Sequence, residues 1–207
     1  MYTPPAFRDE DRASLFATIR AARLANFVTA TADGPLVTPL PLLIAPDEGP
    51  HGVLYGHLAR ANPQWQIPAI GPGVAVFMGP DAYITPSWYA TKQETGKVVP
   101  TWNYISVHAS GPVEFFEDPA RLHDVVRRLT DHHEGERAAP WAVSDAPEKF
   151  VEAQLRGIVG LRMEITALEG KRKLSQNRNA PDRAGVATGL AESDRQSDRA
   201  VAPLIPL

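Results

Sequence analysis

The stretch from residue 26 to residue 44 limits most tightly what this chain can fold into. Asn26-Phe27-Val28-Thr29-Ala30-Thr31-Ala32 is β-branched and alternating, the period-two pattern of a strand with one buried face. Asp33-Gly34 is a tight-turn signal, and residues 36–44 return as the hairpin partner. Pro39 and Pro41 fall inside that second strand. Proline has no amide hydrogen for a ladder, so one side of this strand is expected to stay unpaired. An unpaired strand edge in a protein interior is a place for a ligand to lie.

The remaining pattern adds strands and marginal helices. Residues 9–23 read as a helix capped by Asp9, with Glu10 and Asp11 favourable to its dipole and Leu15, Phe16, Ile19 and Ala22 on one face. Residues 51–57 form a third strand, followed by a short helix near 63–70. Residues 74–79 and 82–85 are two further strand pieces joined at Gly79-Pro80-Asp81. Pro86-Ser87-Trp88-Tyr89 is a helical turn, 90–97 a polar mobile loop, and 98–116 the longest extended stretch, bent at Gly111-Pro112. Asp118-Pro119 opens a helix through His132, with Leu122, Val125, Val126 and Leu129 at helical spacing. A helix over 147–155, a final strand over 158–168 and a helix over 182–191 follow. Residues 193–207 are polar and proline-containing, hence disordered or an arm wrapped on a partner. Six or seven strands with hairpin connections imply a mainly β chain, a closed or partly closed antiparallel barrel with flanking helices. The expected division is a barrel domain over 1–170 and a C-terminal basic segment, helix and tail over 171–207.

Composition removes whole classes of function. There is no cysteine, which excludes disulfides, thiolate chemistry, iron–sulfur clusters and cysteine-bound zinc. The six histidines lack metal-ligand spacing, and His132-His133 sits at a helix end where cations are favourable. A formal charge of −3 argues against a chain devoted to nucleic acid. The N-terminus lacks the parts of a signal peptide, and the longest apolar run, 39–46, is too short to span a membrane, so a cytoplasmic protein is expected. No nucleophile–base pair, Rossmann or P-loop glycine motif, or glycosidase-like carboxylate pair is present. Catalytic machinery made of side chains alone is not visible.

Three groups could carry a ligand. Ala59-Arg60-Ala61 lies between the third strand and Asn62-Pro63, a helix-start signal, so a guanidinium stands beside free helix amides. That combination binds phosphate; from the stretch alone, a corner whose arginine caps a neighbouring carbonyl is favoured, because a single arginine near a helix start is common. Trp65, Tyr83, Trp88, Tyr89, Trp102 and Tyr104 cluster in one 40-residue span with Asn103 among them. Such rings suit the wall of a pocket for a planar heteroaromatic ligand, a dimer seam or ordinary core packing. Lys171-Arg172-Lys173-Leu174-Ser175-Gln176-Asn177-Arg178 is either a solvated basic loop, a weak nucleic-acid contact or a second anion-binding segment.

In order along nearly the whole chain, five segments resemble the PaiB-type FMN-binding proteins, described as negative transcriptional regulators. They are Met1-Tyr2-Thr3-Pro4-Pro5-Ala6-Phe7, Gly56-His57-Leu58-Ala59-Arg60-Ala61-Asn62-Pro63-Gln64 and Tyr83-Ile84-Thr85-Pro86-Ser87-Trp88-Tyr89. Val99-Pro100-Thr101-Trp102-Asn103-Tyr104 with Val107-His108, and Lys173-Leu174-Ser175-Gln176-Asn177, complete the set. The resemblance implies the split-barrel flavin-binding fold of the pyridoxamine-phosphate oxidase group and a homodimer with FMN at the subunit interface. By position, Val37, Thr38, Pro39, Leu40 and Pro41 would flank the flavin ring. His57, Ala59, Arg60 and Asn62 would hold the ribityl chain and phosphate, and Tyr55 would be a further cofactor contact. Trp88, Trp102, Asn103 and Tyr104 would close the site. The oxidase group places two adjacent basic residues at the clamp; here only Arg60 is basic, which brings in Lys173 or Arg178. A flavin-dependent reductase or oxidase and a haem-binding split barrel using His57 or His108 are the alternatives. No helix-turn-helix pattern with basic recognition residues is evident, so the expectation of DNA contact is weak.

Overall fold

The computed structural model describes residues 1–207. In chain order its strands are β1 (Arg8–Asp9), β2 (Ala25–Thr31), β3 (Gly34–Leu40), β4 (Leu43–Ala45) and β5 (Val53–Ala59). There follow β6 (Gly73–Ile84), β7 (Thr101–Gly111), β8 (Val113–Phe116), β9 (Ile158–Glu164) and β10 (Ala167–Lys173). The α-helices are α1 (Arg12–Ala21), α2 (Ala90–Thr95), α3 (Pro119–Glu134), α4 (Glu148–Leu155), α5 (Ala180–Ala191) and α6 (Gln196–Val201). They fall into two compact units, the first made of Met1–Ala21, Met78–Val107 and Glu169–Leu207, the second of Ala22–Phe77 and His108–Leu168.

The hairpin is the frame of the second unit. β2 and β3 pair antiparallel from Ala25↔Leu40 to Thr31↔Gly34, and β2 pairs on its other side with β6. The reversal is centred one residue earlier than expected, on Ala32-Asp33, with Gly34 at φ +118° closing it. β3 ends its sheet. The pairs Ala30↔Pro35 and Asn26↔Pro39 share one class with Val28↔Val37. Because proline cannot complete a hydrogen-bonded pair, this is the non-hydrogen-bonded class, whose N–H and C=O groups point away from β2. The outer edge of β3 therefore offers carbonyls from residues 35, 37 and 39 and a single N–H, that of Val37. The strand expected over 36–44 breaks at Pro41, and β4 joins a second antiparallel sheet in the order β4-β5-β9-β8.

Buried Phe27, Ala75, Val53, Leu54, Leu58, Val159, Leu161 and Met163 make this unit's core. Close approach demands glycine at positions 56 and 111 among others. A Cβ on Gly56 would stand 2.6 Å from Leu42 Cδ2 and 3.0 Å from Pro41 O, and one on Gly111 would stand 1.7 Å from Glu164 O. α3 begins as expected: Pro119 fills the first position and Asp118 Oδ1 accepts from Arg121 N at 2.8 Å.

The first unit holds most departures from expectation. α1 is capped by Asp11, whose carboxylate accepts from Ala13 N and Ser14 N, while Asp9 accepts from the Ser14 hydroxyl. β6 is one strand, since Gly79-Pro80-Asp81 stays extended. Within the stretch 90–97, Ala90–Thr95 is helical, not a loop: Asp182 accepts from both Thr91 N and Thr91 Oγ1 at 2.9 Å and pins the start of α2. The final strand expected over 158–168 is broken into β9 and β10, and Lys171, Arg172 and Lys173 lie in β10, which runs between β1 and β7. The tail is neither disordered nor an arm: α6 forms, and Val201 and Ile205 are buried with Tyr89, Leu174, Val186 and Leu190. Ten strands stand where six or seven were expected.

Candidate functional site

In the second unit the turn after β5 is tied to β3 by a chain of side-chain hydrogen bonds. Asn62 Oδ1 accepts from Gln64 N at 2.9 Å, capping a 3-10 turn over Pro63–Trp65, while Asn62 Nδ2 donates to Thr38 Oγ1 at 2.9 Å. Thr38 donates to Gln64 Oε1 at 2.5 Å, and Gln64 Nε2 donates to Thr29 Oγ1 at 3.0 Å and Leu36 O at 3.3 Å. Gln64 and Thr29 are each 2% exposed, so a polar network is enclosed against the hairpin. Sequence reasoning reached Thr38 and Asn62 but not Gln64 or Thr29; the one signal was a glutamine two residues after a capping asparagine. The network leaves Val37, 55% exposed, on the other face of β3, and Pro39 beside it is exposed too. Leu40 is buried, and Pro41 passes over Gly56.

The helix expected over 63–70 is only that single 3-10 turn, because Pro68 and Pro72 follow and three residues cannot sum a macrodipole. Its nearby amides are engaged: Arg60 N donates to Gly157 O and Asn62 N to Ala59 O. Arg60 Nε donates to Arg156 O at 2.7 Å, Nη2 to Ile158 O at 3.2 Å, and Nη1 pairs with Glu117. This is the carbonyl-capping corner, the plainer of the two arrangements the stretch allows. Ala59 is exposed beside it.

His57 lies two residues from Tyr55 along β5. Its Nδ1 is buried without a hydrogen-bond partner, and burial lowers its pKa from the ordinary 6.5. Tyr55 keeps separate company: its hydroxyl donates to Glu48 Oε2 at 2.5 Å, Arg128 lies 4.8 Å over its ring, and it packs against the cluster of Phe116, Leu122, Val125 and Leu155.

Trp88, Trp102, Asn103, Tyr104 and Lys173 belong to the first unit. Trp88 packs on α5, where Gly185 and Gly189 leave room for it. Trp102 is 52% exposed and meets Tyr83, 43% exposed, edge to face at 5.9 Å. Asn103 is buried; its Nδ2 donates to Ser175 Oγ at 2.9 Å and its Oδ1 has no partner. Lys173 Nζ donates to Trp102 O at 2.6 Å and to Thr101 Oγ1. Burial first, then the charges of Lys171 and Arg178, lower the Lys173 pKa. Lys171, one of the cations of the basic segment, lies over Tyr104 at 5.2 Å.

These donors and acceptors fit FMN. In the second unit, an edge of alternating carbonyls with one N–H and a buried imidazole nitrogen lacking a partner match the polar rim of a flavin. In the first unit, Lys171 and Lys173, whose hydrogen bonds go to neutral oxygens, are of a kind that takes a phosphate. No three metal-ligating side chains come together, and no helix is long and apolar enough to cross a membrane.

Residues 1–167 match the family described as "Putative FMN-binding domain". Among curated proteins, the chain is 30% identical to "Protease synthase and sporulation protein PAI 2" of Bacillus subtilis, over 99% of this chain and 96% of that one. It is 38% identical to an uncharacterized protein of Aspergillus fumigatus over 67% of this chain, and spans 66% of that relative's length. Among solved structures, the FAD and heme binding protein from Mycobacterium smegmatis superposes with a TM-score of 0.60 at 17% identity, covering 93% of this chain and 78% of that one. At that identity the likeness is one of fold, and the fold is the mainly antiparallel split barrel with flanking helices. The PaiB resemblance carried by the five segments thus extends over the whole chain, and the chain belongs to the FMN-binding domain family.

Proposed function

We propose that this chain is a flavoprotein that binds FMN along the outer edge of β3 and acts as a homodimer. The observation that carries the reading is that edge: Pro35 and Pro39 leave Val37 N–H as its one outward donor among carbonyls. The Thr38–Asn62–Gln64 network fixes the edge in place, and Arg60 fixes the corner beside it. His57 gives a polar contact to the ligand through its unpartnered Nδ1. When bound, FMN supplies one- or two-electron redox chemistry, and the protein supplies position and electrostatics. Met78, Tyr83, Val99 and Trp102, each more than 40% exposed, support association with a second copy.

The test is a flavin titration of wild type and of Val37→Pro, which removes the outward N–H while leaving the β2 ladder intact. Wild type should bind FMN and absorb in the flavin bands, and Val37→Pro should bind about fivefold to tenfold more weakly. A wild-type protein that ignores FMN overturns the assignment, and equal affinities overturn the role of the edge. Light scattering should give twice the 22.5 kDa chain mass; a monomer refutes the dimer. The whole-length likeness to a Bacillus protein named for protease synthesis and sporulation favours regulation over metabolism as the use of the flavin. A salt-sensitive gel shift would support direct DNA contact, and bleaching by NAD(P)H would support a reductase instead.

A further inference from the structure

β10 carries cations that no carboxylate answers. Lys171 is 8% exposed, donates to Tyr2 O at 3.2 Å, and lies 5.6 Å from the Tyr2 ring centre and 5.2 Å from that of Tyr104. Two positions along, Lys173 spends its visible hydrogen bonds on the neutral oxygens Thr101 Oγ1 and Trp102 O. The Arg178 guanidinium carbon lies 4.6 Å from the centre of the Tyr89 ring. None of the three forms an ion pair within 4 Å. Of the nearby acids, Glu169 is taken by the amino terminus at 2.7 Å and Asp182 by Thr91. The three cations feel one another, since Lys171 and Arg178 both weaken the hold of Lys173 on its proton.

A buried ammonium held only by a carbonyl and two ring faces is costly, and gathering two more positive charges around it adds repulsion. A fold keeps such a group when something else supplies the negative charge. The backbone between the cations is also held in an unusual conformation. Ser175, at φ +63°, is the one non-glycine residue in the left-handed region; its hydroxyl is held by Asn103 and its carbonyl accepts from Arg178 N at 2.9 Å. The Arg178 amide is thereby tied to the turn that directly follows β10, and strain of this kind collects at ligand sites. Asn103 adds a buried Oδ1 without a partner.

We infer that Lys171, Lys173 and Arg178 form a binding site for a phosphate monoester dianion, whose oxygens can engage three cations as a single-charged carboxylate cannot. The phosphate is either that of FMN itself or that of a separate phosphorylated molecule. The site stands on this unit's own residues and does not require that flavin lie on β3.

The test titrates inorganic phosphate calorimetrically into the full chain at constant ionic strength, without flavin and with FMN added. Saturable binding is expected for wild type. Lys173→Gln with Arg178→Gln should weaken it about tenfold or more, while Lys173→Arg and the remote control Arg127→Gln should leave it within about threefold. Unfolding midpoints of the variants confirm that each is folded. If the double variant also weakens FMN and spares riboflavin, the phosphate is the flavin's. If phosphate binds the FMN-loaded protein as tightly as the free one, the ligand is a separate phosphorylated molecule. Absence of saturable binding in wild type, or equal binding in the folded double variant, overturns the site whether or not the protein takes up FMN.

Discussion

Replacing Gln64 by leucine tests the network that holds the β3 edge. The substitution nearly preserves volume and removes three hydrogen bonds, those to Thr38, Thr29 and Leu36 O. Thr29, 2% exposed, has no water to turn to, so its hydroxyl carries a full desolvation penalty of about 1–3 kcal/mol. Thr38 is only partly buried and still accepts from Asn62, so its loss is nearer 1 kcal/mol. Leu36 O gives up its weakest bond, at 3.3 Å. Against these stands about 1 kcal/mol from burying more apolar surface. The net cost should be about 2–3 kcal/mol, which for a chain of this length lowers the melting temperature by about 5–10 °C. Urea unfolding should show a lower midpoint at unchanged slope. Gln66→Leu, at an exposed position two residues on, should change stability by less than about 0.5 kcal/mol. If Gln64→Leu unfolds with the wild-type midpoint, the network does not hold the hairpin and the argument for a preformed edge fails.

Further outcomes follow from other sites. Gly111→Ala drives a Cβ into the backbone oxygen of Glu164 and should abolish cooperative unfolding or soluble expression; a variant melting within 2–3 °C of wild type would contradict the packing. Asp182→Ala removes the carboxylate that accepts from Thr91 N and Thr91 Oγ1 and should cost about 2–3 kcal/mol, seen as a lower urea midpoint. Burial lowers the His57 pKa in the fold, so as pH falls the unfolded chain takes up this proton first, from about pH 6.5. Its contribution is therefore complete above that pH and declines towards acid, by at most about 1.4 kcal/mol per pH unit. His57→Asn should flatten stability between about pH 7.5 and 5.5, and an unchanged slope would rule His57 out. Arg60→Ala should destabilise by about 1–2 kcal/mol through the lost carbonyl contacts, the exposed Glu117 pair adding little. A flavin affinity lower by about 1.5–3 kcal/mol in that variant would instead mark Arg60 as a phosphate ligand.

What the sequence revealed depended on how far apart the partners lie in the chain. The β2–β3 hairpin and α3 are local: alternation, a turn dipeptide and a capping Asp-Pro decide them within a few residues. β10 has no such signal, because Gly170-Lys171-Arg172-Lys173 shows no apolar alternation; it becomes a strand by joining β1 and β7. Arg60 could be read as a cation at a corner, yet its acceptors at 156 and 158 are nearly a hundred residues away. Gln64 is buried only because Thr29 and Thr38 meet it across a hairpin. Tyr89 and Val201 share a core that makes the tail fold, and a polar, proline-bearing stretch gives no hint of that.

The prolines of β3 act in one more way. A bare edge strand ordinarily invites a second strand to add to it, which is how partly folded chains begin to aggregate. An edge with one N–H among three carbonyls cannot serve as a template, since an incoming strand would find almost nothing donating to it. The prolines that leave this edge unpaired thus also close it to other polypeptide, so the protein should resist fibril growth from this strand.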